Sequence, residues 1–186
     1  MNRSVLLFAI LALAACQKED PAPTPTGGGT PNAWTPPTAS YWKINGVDNG
    51  SSMDAVSVST TGNDMSLAKP FPALGFGYCQ LRVFSNNNSL NIRDSVPEGG
   101  HIALPITIHS TSTNDSIRVE LDVEDSNSGT QGNYFYRAIG GKLYISKSGG
   151  KLRYTSDGTL AMEGVKYPDM QSYIYTCQLS FSQVQP

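Results

Sequence analysis

The run Ile117-Arg118-Val119-Glu120-Leu121-Asp122-Val123-Glu124 alternates apolar and charged residues without a break. A two-residue period sends successive side chains to opposite faces, so this segment reads as a strand with one buried face and one charged, solvated face. Residues 41–186 keep to the same rule throughout: no window sustains a helical repeat, and short alternating runs are separated by turn residues. Strands are expected at 41–45, 55–60, 77–84, 90–93, 102–109, 116–124, 134–138, 142–146, 151–155, 159–163 and 172–182. Gly149-Gly150 joins two of these as a primed turn, and Asp157-Gly158 joins the next pair. Connections this short permit only antiparallel neighbours, so Lys142 through Glu163 is expected to be a meander. So many short strands imply an all-β domain over 41–186, an antiparallel β-sandwich, with a lipocalin-like β-barrel as the alternative.

Ahead of that domain the chain opens with Met1-Asn2-Arg3-Ser4, an apolar run from Val5 to Ala15, and Cys16. One positive charge, a short apolar run and small residues before a cleavage point are the parts of a secretory signal peptide. The run is too short to span a bilayer, which needs about 20 residues. Leu13-Ala14-Ala15-Cys16 matches the bacterial lipobox, in which the Cys thiol is acylated and becomes the new N-terminus. Residues 1–15 are therefore expected to be a lipoprotein signal peptide, and the membrane a partner through lipid on Cys16. Residues 16–40 combine this Cys with a Pro-, Gly- and Thr-rich stretch that has too little apolar surface to fold, and are expected to be a disordered tether.

Composition narrows the function classes. Thirteen Lys+Arg against 15 Asp+Glu give a formal net charge of -2 with no basic block, which argues against a nucleic-acid partner. No G-x-S-x-G, H-E-x-x-H or phosphate-binding Gly loop occurs, so no catalytic residue and no cofactor is expected. His101 and His109 stand at the two ends of one expected strand, about 26 Å apart, too far to share a metal ion. Glu120, Asp122, Glu124 and Asp125 run into Ser126-Asn127-Ser128-Gly129 without the spacing of an EF-hand loop, so they read as a solvated acidic face and no metal site is expected.

With Cys16 committed to lipid, Cys79 and Cys177 remain as an even pair in an oxidising location, and a disulfide between them is expected. Cys79 shares a face with Leu81 and Val83; Cys177 shares one with Tyr173, Tyr175, Leu179 and Phe181. Opposite the Cys79 face, Tyr78, Gln80, Arg82 and Phe84 present two rings flanking an amide and a guanidinium. Such groups stack on a sugar's apolar face and bond its hydroxyls, or anchor a protein partner. The expected function is a non-catalytic binding module for a glycan or a protein. A lipocalin-like carrier of a small apolar ligand is the alternative, followed by a hydrolase whose site assembles from distant loops.

Two resemblances extend this reading. Gln17 departs from the inner-membrane retention signal, and Lys18-Glu19-Asp20 resembles the export signal of surface lipoproteins in Bacteroidetes-type bacteria. That resemblance implies an outer-membrane location facing the exterior. Within the domain, Gly141-Lys142-Leu143-Tyr144-Ile145-Ser146, then Asp157-Gly158-Thr159-Leu160-Ala161-Met162-Glu163-Gly164, then a final aromatic strand, resemble small lipoprotein domains of unknown function from the same bacteria. Tyr41-Trp42-Lys43-Ile44-Asn45-Gly46 is similar to the opening strand of that group. The group has no assigned activity, so the resemblance implies an all-β fold and no catalytic residue.

Overall fold

Alternation along the chain becomes twelve strands in the computed structural model, which describes residues 34–50, 53, 55–87, 89–108, 115–125, 132–168 and 172–185. The expected signal peptide, Cys16 and most of the expected tether lie outside the described residues. The strands are β1 (Tyr41–Ile44), β2 (Val47–Asp48), β3 (Ala55–Val58), β4 (Asp64–Phe71), β5 (Phe76–Ser85), β6 (His101–Pro105), β7 (Ile117–Asp125), β8 (Gly132–Ala138), β9 (Lys142–Ser148), β10 (Lys151–Ser156), β11 (Leu160–Lys166) and β12 (Tyr175–Val184). The compact unit runs from Thr35 to Pro186. Residues 38 and 39, assigned by sequence to the tether, are held to β10 where Arg153 donates from Nη2 to the Thr38 carbonyl and from Nη1 to the Ala39 carbonyl, both at 3.2 Å.

The ladder runs β3-β4-β5-β7-β8-β11-β12-β10-β9-β6, with β1 on β12 and β2 on β1. Its strand pairs are antiparallel, and β3 and β6 are its two ends, so the sheet does not close. The chain is all-β and sandwich-like, and the lipocalin-like barrel is excluded. At the β6 end, Ile106 touches Ile117 through one isolated parallel bridge.

The β9–β10 hairpin forms as expected, with Gly149 and Gly150 at φ 58° and 73°, the left-handed pair that a primed turn requires. The meander does not continue. β11 pairs with 175–179 of β12 and β10 with 182–184, so β10 and β11 run end to end along one edge of β12. Asp157-Gly158 makes the step between them instead of a hairpin. On the opposite edge β1 takes 179–182.

Three other segments differ from the sequence reading. Residues 90–93 are not a strand: Asn91 caps a helix α1 (Ile92–Ser95), its side chain accepting from the Asp94 backbone N–H at 3.1 Å. The unforeseen β4 keeps a period-two burial from Met65 to Phe71 in which Lys69 occupies a core-face position. Lys69 survives burial because its Nζ donates to the Asn49 carbonyl at 2.6 Å, while Asn49 Nδ2 donates to the Pro70 carbonyl at 2.5 Å. The last strand starts at Tyr175, not at 172, which takes Tyr173 off the core face.

One apolar cluster fills the interior. Leu67, Leu81, Leu121, Leu143, Ile145, Leu152, Leu179 and Phe181 are all fully buried within it. Trp42 of β1 meets Phe71 at the end of β4 edge-on, with ring centroids 5.0 Å apart. Tyr154 of β10 reaches into the β3–β4 turn, its hydroxyl donating to the Gly62 carbonyl at 2.6 Å. These contacts leave the outer face of β4, β5, β7 and β8 turned to solvent.

Candidate functional site

Strand pairing sets the outer face in rows. Tyr78 stands opposite Glu124, and Glu124 opposite Asn133; Gln80 stands opposite Asp122, and Asp122 opposite Phe135. The next row crosses five strands as Ser66, Arg82, Glu120, Arg137 and Glu163. Phe84 lies beside Arg118. Tyr78, Gln80, Arg82 and Phe84 therefore share one solvent-facing surface of β5, as the alternation predicts.

The surface is divided, however. Arg82 donates from Nη2 to Glu120 Oε2 at 3.1 Å and lies 3.4 Å from Asp122 Oδ2. The Arg118 guanidinium sits 4.1 Å from the centroid of the Phe84 ring. Gln80 donates from Nε2 to Ser66 Oγ at 2.9 Å. Arg82 and Phe84 are thus engaged within the sheet, and Tyr78, 42% exposed, is the most open of the four.

Each half of the strip borders its own depression. Arg82 and Phe84 line a 540 Å³ hollow against Ser57, Val58, Asp64 and Ser66. Tyr78 and Gln80 line a 300 Å³ groove with Asp122, Glu124, Asn133 and Tyr167. Tyr167 is exposed like Tyr78, so this groove offers two exposed aromatic rings, with the half-buried Tyr134 as a third, beside two carboxylates and two side-chain amides. Sequence reading missed Tyr167 and Asn133, because a residue after β11 and one on β8 meet β5 only through the strand order. The Tyr134-Phe135-Tyr136 cluster was the available signal for β8.

Burial dominates the acidic members. Desolvation raises the pKa of Glu120 above its ordinary value, against the lowering pull of Arg82 and Arg118 and with a further push from Asp122. Desolvation also raises Asp122, again opposed by Arg82. Both carboxylates turn to Arg82, so this part of the acidic strand is an ion-pair network. Residues 126–131 and His109 lie outside the described residues.

Cys79 and Cys177 are free, buried thiols instead of the expected disulfide. β7, β8 and β11 separate their strands in the ladder, so the two are not cross-strand neighbours. Both belong to the same core cluster, where burial pushes each thiol up to about 12, Cys177 adding to the effect on Cys79. They serve there as small apolar side chains.

Compared with protein-family models, with curated proteins and with solved structures, the chain finds no match in any of the three.

Proposed function

We propose that this chain is an outer-membrane lipoprotein, held by lipid on Cys16 and facing the exterior, whose β domain is a non-catalytic module that retains a glycan. The groove of Tyr78, Tyr167, Gln80, Asp122, Glu124 and Asn133 carries the reading. Exposed rings offer flat apolar platforms to the C–H face of a sugar, and carboxylates and amides beside them bond its hydroxyls. The lipobox, the Lys18-Glu19-Asp20 signal and the Pro/Gly-rich spacer support display at a surface. A carrier of apolar ligands gains less support, since Trp42, Phe71, Tyr154 and Phe181 fill the interior.

A protein ligand is the second reading. Ile139 and Tyr173, both exposed, border a 480 Å³ hollow on the outer face of β11 and β12.

The glycan reading is tested by measuring retention of the full chain on a panel of immobilised neutral polysaccharides. Wild type is expected to bind at least one, and Tyr78→Ala to lose that retention while melting at nearly the wild-type temperature. Equal retention by both proteins, or none by wild type, overturns it.

A further inference from the structure

A second recess on the same outer face is bordered by two arginines. It measures 210 Å³ and is bounded by Arg118, Glu120, Phe135, Arg137, Tyr173 and the Thr107–Ile108 segment. Arg137 is spoken for, donating from Nε and Nη2 to Glu163 Oε1 at 2.8 and 2.7 Å, with the Tyr173 ring 3.8 Å away. Glu120 accepts from Arg82. Among the described residues Arg118 makes no ion pair or hydrogen bond; its charge acts on Glu120, its guanidinium lies against the Phe84 ring, and its Nε is buried without an acceptor. The Phe84 ring beneath the guanidinium holds it in one orientation.

We propose that this recess binds the carboxylate of an acidic sugar, with Arg118 as the carboxylate-binding residue. The inference rests on the glycan reading and deepens it by naming an acidic substrate class. A guanidinium presents a planar fork that matches a carboxylate, and charge-assisted bonds of this kind are the stronger ones. Phe135 and Tyr173 supply ring walls for the sugar, and 210 Å³ admits a single ring in preference to a long chain. Thr107 fixes the far wall, its backbone N–H donating to the Ile117 carbonyl at 3.0 Å beside Arg118.

Calorimetric titration of the full chain in detergent with D-glucuronate, its methyl ester, D-glucose and a glutamate-containing peptide tests the proposal. D-glucuronate is expected to bind about tenfold or more tightly than any of the other three. Arg118→Gln is expected to remove that preference and Arg118→Lys to restore part of it. Equal binding of the acid and its ester, absence of glucuronate binding, or tighter binding of the peptide overturns it without using any variant. Retention of neutral polysaccharide through Tyr78 without a glucuronate preference sinks this inference alone. Loss of Tyr78-dependent retention beside an Arg118-dependent preference sinks only the neutral groove.

Discussion

Tyr78 and Leu81 stand three residues apart on β5 and answer to different forces. Tyr78 is open to solvent, so Tyr78→Ala is expected to change stability by about 0.5 kcal/mol or less, whereas fully buried Leu81→Ala is expected to cost about 2–5 kcal/mol. Urea melts of both variants check this; a comparable loss for Tyr78→Ala would make the ring part of the core. Glu120 and Asp122 give a prediction with a sign. Their folded pKa values are raised, so their contribution favours folding at low pH and is lost as pH rises through those values. Stability of Glu120→Gln/Asp122→Asn minus wild type is therefore expected to increase from about pH 4, the ordinary carboxylate range, towards neutrality. Melts at the two ends measure the difference, and a flat or falling gap contradicts the assignment. The β5 alternation made the outer-facing set legible in advance. It did not reveal that Arg82 pairs with Glu120 and lies against Asp122, because ion pairing depends on which strands lie side by side.

At the scale of elements, β8 and β11 show how one missing side chain supports a pair. Gly164 lies opposite Tyr136, and a Cβ there would stand 2.7 Å from Tyr136 Cε1 and 2.9 Å from the Phe135 carbonyl oxygen. The ring could shift but the backbone oxygen could not, so Gly164→Ala is expected to cost about 1–3 kcal/mol. Thermal melts beside a control at Gly140, where a Cβ meets nothing within 4 Å, read the difference; equal effects would remove the close approach as the cause. The unbroken alternation of β7 and the paired glycines of the β9–β10 turn were plain in the sequence. β4 was hidden because Lys69-Pro70 interrupts its apolar pattern, and contacts with Asn49 help to accommodate both. Asp157-Gly158 carries the chemistry of a hairpin turn, yet its flanking strands both pair with β12. Local turn chemistry cannot disclose a competitor that lies later in the chain.

For the whole molecule, the proposed lipid anchor makes Cys16 its point of attachment. Cys16→Ala is expected to leave the precursor unacylated and to release the domain from the membrane fraction, which metabolic labelling with a fatty acid and cell fractionation read directly; continued acylation would refute the lipobox assignment. The two-edged position of β12 matters on another scale, that of time. This strand follows every other strand described here, yet β1, β10 and β11 all hydrogen-bond to it. A chain emerging from the ribosome can form the β9–β10 hairpin and the β4-β5-β7-β8 ladder early, but among the described strands only the isolated Ile106–Ile117 bridge and contacts such as Tyr154 with Gly62 link these pieces until residues 175–184 supply a continuous ladder. The ladder of the described domain is thus completed late, by a segment that three earlier strands await.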